Sequence, residues 1–169
     1  MKFFSENLQD LRALYFNQLQ KTLSMEKQIV QALPTMIEKT TDVQLRQGLQ
    51  SHLQETEVQV DRVTTLLDRE AGSAETIKCK VLSALVGEAE DLLQDARDES
   101  ARDAAIIAAA QRVEHFEIAV YGTLRTWAQI LGDAQAAETL DRTLAEERHA
   151  DHLLTEISNR VNPQARKAA

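Results

Sequence analysis

Apolar residues recur every three or four positions along most of the chain, which is the spacing of one face of an α-helix. This pattern predicts a first long helix over residues 5–39. Pro34 predicts a kink or an early end of that helix, because proline removes a backbone hydrogen bond and clashes with the preceding turn. Residues 41–44 have the form of a capping box and open a second long helix that continues to about Arg69.

A break and a shorter amphipathic segment follow the second long helix. Ala-Gly-Ser-Ala at 71–74 interrupts the pattern, and residues 81–98 then have the periodicity of a crossover helix. Such a long connection lets the next long helix run parallel to the second, as in ferritin-like proteins. The fold class predicted is therefore all-α: a ferritin-like antiparallel four-helix bundle with a short crossover helix between its second and third long helices.

The second half of the chain supplies the remaining two long helices. The third is predicted over residues 100–131, with a cap in its first four residues and Gly132 at its end. The fourth begins with a capping aspartate and spans residues 133–159. One bundle domain is thus expected over residues 1–161, followed by a short flexible C-terminal tail over 162–169.

Composition narrows the class of protein. The 169 residues are rich in Leu, Ala, Gln and Glu and poor in aromatic residues, as expected of one helical domain. A net charge of −8 argues against nucleic acid as a partner, because binding to phosphates requires a basic surface. The single cysteine, Cys79, excludes an intrachain disulfide. With no apolar run long enough to span a membrane and no signal-peptide pattern, we expect a cytoplasmic protein without a membrane partner.

Two acids interrupt the apolar stripe of the third long helix. Glu114, Glu117 and Tyr121 lie at i, i+3 and i+7, and the remainder of that stripe is apolar. An ionised carboxylate buried without a partner costs several kcal/mol, so inward-facing acids are paired with cations or bind a metal. Tyr121, one turn beyond Glu117, is a candidate for tuning such a site or passing an electron, and an ordinary core tyrosine is the alternative.

The fourth long helix also carries acids on its leucine stripe, which places Glu147 and Asp151 toward the core. A competing pair, Glu146 and His149, has the Glu-x-x-His spacing of di-iron carboxylate proteins. Because the face of that pair is otherwise polar, we assign it to solvent.

The second long helix is less decisive. His52, Glu55 and Gln59 form a polar ridge at i, i+3 and i+7 along the edge of its apolar stripe. The ridge is equally consistent with a site residue at the margin of the core, Glu55, and with a solvated or dimer-facing flank. His52 alone is more typical of a hydrogen-bonded boundary histidine than of a ligand.

Each of the four long helices thus supplies at least one candidate acid. Several carboxylates close together in a bundle interior require a multivalent cation, and hard oxygen donors suit iron or manganese. We therefore predict a bridged centre of two iron ions, or two manganese ions, with a ligand set drawn from Glu26, Glu55, Glu114, Glu117, Glu147 and Asp151.

Nearly the whole chain resembles the bacterial YciE/YciF group of ferritin-like, rubrerythrin-related stress proteins. The resemblance is densest over residues 102–124 and continues in 25–28, 52–56 with Gln59, and 146–147 with Asp151. It implies an antiparallel bundle with a crossover helix, commonly dimeric, with a dinuclear metal site and a role in stress.

The resemblance also implies a ligand set and shows where this chain departs from it. A rubrerythrin-type site would take Glu26, Glu55, Glu114, Glu117 and Glu147. Rubrerythrin-like sites usually add a histidine one turn beyond the second-helix and fourth-helix glutamates, where this chain has Val58 or Gln59, and Asp151. One cysteine cannot bind the rubredoxin-like iron of rubrerythrins.

The function expected from these observations is reaction of the metal centre with dioxygen or hydrogen peroxide, an oxidase-like or peroxidase-like activity in a homodimer. The alternative is a non-enzymatic, stress-induced helical scaffold whose metal site is structural or vestigial. Iron storage in a ferritin-like cage is a weaker third interpretation, because the sequence identifies no surface for cage assembly.

Overall fold

The helices of the chain follow the predicted order. In the computed structural model, which describes residues 8–166, no strand occurs within that range. The elements are α1 (Leu11–Lys39), α2 (Val43–Ala71), α3 (Lys80–Asp95), α4 (Glu99–Ile130), α5 (Ala134–Val161) and a one-turn 3-10 helix (Asn162–Ala165). The crossover helix is α3, and the four long helices are α1, α2, α4 and α5.

An aspartate caps the N-terminus of each long helix. Asp10, Asp42, Asp98 and Asp133 each accept a hydrogen bond from the backbone N–H three residues further on. This geometry satisfies one of the amides that a helix N-terminus leaves without an intrahelical partner. The predicted cap of the fourth helix is confirmed. In the capping box predicted at 41–44 the cap is Asp42 and not Thr41, one residue later than the motif implies. The cap predicted at 100–103 is wrong, because Asp98 takes that role.

Asp103 and Thr41, two residues of the predicted caps, connect α4 to the turn between α1 and α2. Asp103, inside α4, is buried and accepts hydrogen bonds from the backbone N–H groups of Thr41 and Asp42, at 2.8 Å each. The Thr41 hydroxyl donates to the same carboxylate at 2.6 Å. The α1–α2 turn is thereby fixed against α4.

Pro34 does not end α1, so the predicted early end is wrong. The helix continues through Pro34 to Lys39, and the neighbouring Leu33 is buried in the core. Thr40 closes the helix, because both its N–H and its hydroxyl donate to the carbonyl oxygen of Met36. Packing and this C-terminal cap outweigh the single hydrogen bond that proline removes. The predicted start of the helix, at residue 5, lies outside the described residues.

Pairwise contacts establish the direction of each helix. Short turns make α1 and α2 antiparallel, and likewise α4 and α5, whose turn uses the positive φ of Gly132. Contacts between α2 and α5 run in opposite order along the two helices, from Asp42–Arg160 at one end to Arg69–Asp133 at the other. Glu26–Tyr121 and Thr41–Asp103 show the same for α1 and α4. Therefore α2 and α4 are parallel, and the ferritin-like prediction is confirmed.

The C-terminal segment begins with ordered structure. Residues Asn162–Ala165 form a 3-10 turn that packs against α4 and α5. The flexibility expected for the last residues stays a prediction, since 167–169 lie outside the described range. Within residues 8–166, no helix has a stretch long and apolar enough to cross a bilayer.

Candidate metal centre

Four side chains from three helices converge in the middle of the bundle. His52 of α2, Glu114 and Glu117 of α4, and Glu147 of α5 each offer a ligand atom, and these atoms all lie within 4.8 Å of one another. The four residues are 6%, 2%, 0% and 0% exposed, respectively. One turn separates the two α4 acids, so both face the same interior space. This spacing suits a cation bound among the four side chains.

The long helix that does not contribute to this group, α1, supplies a fourth acid beside it. Glu26 of α1 is completely buried, and its Oε1 accepts a hydrogen bond from the hydroxyl of Tyr121. The charge of Glu147 acts on Glu26, and the charge of Glu26 acts on Glu117. Each long helix therefore places at least one ionisable group at the centre.

Many of the polar atoms at this centre have no hydrogen-bond partner within residues 8–166. They are Glu26 Oε2, both ring nitrogens of His52, Gln59 Oε1, Glu114 Oε2, both carboxylate oxygens of Glu117, and Glu147 Oε2. Buried polar atoms are almost always satisfied in folded proteins, and leaving one unsatisfied costs about 1–3 kcal/mol. The unsatisfied atoms are oxygen and imidazole nitrogen donors, which are the ligands that iron and manganese accept. These residues therefore fit a metal centre.

Burial shifts the titration of every group at the centre toward its neutral form. The pKa values of Glu26, Glu114 and Glu117 are raised well above the ordinary value, first by burial and then by the charge of Glu147. Burial also raises the pKa of Glu147, to about 7. It lowers the pKa of His52 to about 4, which leaves the imidazole neutral and free to donate a lone pair at neutral pH.

The side of the centre between α2 and α5 is closed by a polar network. Gln59 donates through Nε2 to Glu147 Oε1 at 2.5 Å and to Glu146 Oε2 at 3.1 Å. Arg62 binds both oxygens of Glu146, at 2.5 and 2.9 Å. Burial alone would raise the pKa of Glu146, but the bonds from Arg62 and Gln59 hold it below its ordinary value. Adjacent residues of α5 thus point to different places, Glu147 into the core and Glu146 to the edge.

Two of the acids proposed as ligands lie outside the cluster. Glu55 is half-buried and lines a surface cleft with Arg62 and Glu146. Asp151 lies between α4 and α5, where His115 Nε2 and Gln111 Nε2 approach its Oδ1 at 3.2 and 3.3 Å. Both acids sit about one turn from a cluster residue but are rotated toward solvent. The other histidines, His115, His149 and His152, are exposed.

His52, which the sequence alone makes more typical of a hydrogen-bonded boundary histidine, is a member of the cluster. Glu55, the candidate expected at the margin of the core, lies in the cleft at the α2–α5 edge. The signal that identifies it is the inward stripe of α2, which continues through its polar members: Leu49, His52, Thr56, Gln59 and Val63, all buried. Their spacing alternates between three and four. A stripe defined by apolar residues alone does not include His52 and Gln59.

Fold and buried site together define a ferritin-like helical bundle with a candidate metal centre. Comparison with known proteins gives its family. A family model described as a domain of unknown function (DUF892) matches residues 10–166, and the chain belongs to that family.

Named relatives agree with this assignment. Protein YciF of Escherichia coli (strain K12) is 38% identical over 165 residues, which cover 96% of this chain and 99% of the relative. The crystal structure of the E. coli stress protein YciF superposes with a TM-score of 0.87 at 36% identity, covering 92% of this chain and 98% of that one. YcfI of Rhodopseudomonas palustris, for which a structural role has been suggested, gives 0.87 at 38% identity and covers 90% and 98%. The resemblance to the YciE/YciF group is thereby confirmed.

Proposed function

We propose that the protein is a ferritin-like stress protein that binds two iron or manganese ions and reacts with dioxygen or hydrogen peroxide. The observation that carries this proposal is the set of buried, unsatisfied donor atoms contributed by all four long helices. A bundle that only needed to fold would be more stable with apolar side chains in these places. The E. coli relative is described as a stress protein, which agrees with a role in handling oxidants.

Each residue at the centre has a distinct task in this proposal. Glu114, Glu117 and Glu147 would hold the metal ions, and His52 would contribute a neutral nitrogen donor. Tyr121 orients Glu26 through the hydrogen bond between them. Gln59 does the same for Glu147 by donating to one of its oxygens and leaving the other free. Outer partners of this kind fix the orientation of metal ligands.

The bound metal would supply the electrons. One electron from each of two ions, with two protons from water, would suffice to convert dioxygen to hydrogen peroxide, or hydrogen peroxide to two water molecules. Carboxylate-rich surroundings with one imidazole stabilise the more highly charged metal, because anionic donors favour the higher oxidation state. Oxidation should therefore be rapid and re-reduction slow.

A structural role without redox chemistry is the second candidate. It is favoured by the pKa shifts, because acids with a raised pKa are able to remain neutral and hydrogen-bond to one another. Glu114 and Glu147 share such a bond, which raises the pKa of Glu114 and lowers that of Glu147. In this case metal would only stabilise the bundle or would be absent. The homodimer and the cytoplasmic location expected from the sequence stay predictions.

Metal analysis and rapid kinetics separate these candidates. Protein purified without added metal should contain close to two metal ions per chain by elemental analysis. The anaerobic ferrous protein, mixed with dioxygen or hydrogen peroxide in a stopped-flow instrument, should oxidise in one fast phase and then turn over little without a reductant. Oxidation no faster than that of free ferrous ion would leave the structural role. Sustained breakdown of peroxide without a donor would instead indicate a catalase-like activity.

A further inference from the structure

An apolar cavity lies on the side of the centre that the crossover helix covers. Its volume is about 90 Å³, and it is lined by α1, α3 and α4, with α2 contributing Leu49 and His52. Its walls are largely aliphatic, with side chains such as Leu33, Leu82 and Val113. At its inner end the cavity reaches His52 and Glu114, two members of the buried cluster. It therefore opens onto candidate ligand residues.

The outer end of the cavity lies at the protein surface. Gln31 and Thr35 of α1 and Glu90 of α3 line this end, and all three residues are exposed. The cavity is thus a passage with a polar rim, an aliphatic middle and two metal-ligand candidates at its base. Its inner residue His52 is buried and has no hydrogen-bond partner for either ring nitrogen within residues 8–166.

Size and polarity restrict what this passage admits. An aliphatic cavity of about 150 Å³ stays dry and takes up benzene or xenon, so one of about 90 Å³ suits a smaller apolar molecule. Dioxygen is apolar, so it gives up no strong hydrogen bonds when it leaves water. Hydrogen peroxide has two donors and several acceptor lone pairs, and an unsatisfied hydroxyl costs about 1–3 kcal/mol in a protein interior. The aliphatic walls therefore select dioxygen.

The opposite side of the centre, between α2 and α5, is polar. There Gln59, Arg62 and Glu146 form a continuous polar network, and a surface cleft next to it is lined by Glu55, Arg62 and Glu146. A polar oxidant or a hydrated cation would be accommodated better on that side. The centre thus has one apolar approach, beneath α3, and one polar approach, between α2 and α5.

We propose that the cavity beneath α3 is the site through which dioxygen reaches the centre, and that dioxygen rather than hydrogen peroxide is the oxidant that the centre is built to receive. This inference rests on the proposed function for the identity of the reaction. The presence of a gas-binding cavity does not depend on it.

Filling the cavity tests the proposal. Ala89 of α3 and Ala109 of α4 both line it, and neither is a candidate ligand. Ala89→Leu should block the passage, and Ala109→Leu provides a second variant should the first fail to fold. The matched control is Ala84→Leu, the same change at an exposed position of the same helix. Metal content is measured in every variant.

Two measurements on each protein give independent answers. Xenon, followed by xenon-129 NMR and in xenon-pressurised crystals, should occupy the cavity of the wild type and of Ala84→Leu but not of Ala89→Leu. In stopped-flow oxidation of the ferrous protein, the filled variants should react about tenfold more slowly with dioxygen, because close-packed interiors leave few other voids. Their reaction with hydrogen peroxide should stay at the wild-type rate.

Contrary results are distinguishable from one another. Absence of xenon from the wild-type cavity would overturn the proposal, as would equal slowing of both oxidants or slowing of peroxide alone. If the wild-type ferrous protein reacts with neither oxidant faster than free ferrous ion, the proposed function falls with the assignment of the oxidant. The xenon measurement would then still decide whether the cavity accepts an apolar gas.

Discussion

The acids of the interior and those at the α2–α5 edge have the same chemistry but opposite environments. Glu147 is completely buried, and one of its oxygens has no hydrogen-bond partner within residues 8–166. Glu146, the preceding residue, is partly exposed and has both oxygens bound by Arg62. The pKa of Glu147 is raised to about 7, whereas that of Glu146 is lowered.

This difference separates acids that stabilise the fold from acids that need a ligand. Arg62 stabilises the ionised form of Glu146, so the edge network is complete without any added group. No cation of the described chain is hydrogen-bonded to Glu114, Glu117 or Glu147, although His52 lies near Glu114 at 3.4 Å. His52 does not neutralise that acid, because its pKa is about 4. The missing positive charge is therefore expected to come from metal ions.

Replacing one carboxylate oxygen by an amide nitrogen should change metal content strongly at Glu147 and not at Glu146, and this is the largest difference that we expect. Glu147→Gln preserves side-chain volume but removes a charge and a candidate ligand oxygen from the centre, so we expect the variant to lose its bound metal. Glu146→Gln, the matched control, alters only the partner of Arg62 and should retain wild-type metal content. Elemental analysis of the two purified proteins, with circular dichroism to verify folding, makes the comparison.

Equal metal loss from both variants would show that the edge and the interior act as one site. Full metal retention by Glu147→Gln would mean that its unsatisfied oxygen has another explanation. Either result would remove the distinction between the two environments.

The free energy of unfolding should change with pH in opposite directions in the metal-free and the metal-loaded protein, by a few kcal/mol. In the metal-free protein the pKa values of Glu26, Glu114, Glu117 and Glu147 are raised, so above the ordinary carboxyl pKa the folded state binds more protons than the unfolded state. Their stabilisation is complete below that pKa and is lost as the pH rises toward 7 and beyond. Each such group changes the free energy of unfolding by about 1.4 kcal/mol per pH unit.

His52 acts in the opposite direction. Its pKa is lowered to about 4, so its stabilisation is present above its ordinary pKa, near 6.5, and is lost as the pH falls toward 4. Four acids outweigh one histidine, and the metal-free protein should lose stability between pH 5 and 8.

Metal reverses this trend, because binding requires deprotonated carboxylates and becomes tighter as protons leave. Chemical unfolding at pH 5, 6, 7 and 8, with and without metal, measures both slopes. Glu117→Gln should flatten the slope of the metal-free protein, and Glu146→Gln should not. A metal-free slope that is flat, or that rises above pH 5, would contradict the shifts assigned to the interior acids.

The bundle could be predicted from the sequence because helical periodicity survives single exceptions. The break at 71–74, the crossover helix and the turn at Gly132 are all local signals, and the structure has each of them. The caps could not be resolved as well. At residues 41–44 and 98–103 several capping residues follow one another, and the tertiary contact of Thr41 with Asp103 decides which residue caps α2.

The centre was harder to predict because it depends on rotation about each helix axis. Glu114 and Glu117 stand on a clean apolar stripe, so their inward direction follows from periodicity alone. On α2 the polar ridge spans two faces, and His52 and Gln59 face inward while Glu55 faces the edge. The packing of α2 against α5 buries the His52–Gln59 side of the ridge, and the apolar residues of α2 alone do not show it. The spacing shows it only when buried polar residues such as Thr56 are counted in the stripe.

Substitution of Glu55 should have the smallest effect on metal binding. It also tests whether this residue belongs to the α2–α5 edge or to the centre. The family resemblance carries it over as a ligand, yet it is half-buried and lies beside Arg62 and Glu146. Burial and then the charge of Glu146 raise its pKa, as expected for an acid in an edge cleft.

We expect Glu55→Gln to keep wild-type metal content and to change metal affinity by less than about twofold, because solvent and salt screen a partly exposed charge. His52→Ala, one turn away on the same helix, should weaken metal binding by about 10–100-fold, as loss of a ligand or its direct support does. Competition with a chelator of known affinity measures both variants. Metal loss from Glu55→Gln with normal binding by His52→Ala would exchange their roles, moving the centre outward to the ligand set that the resemblance implies.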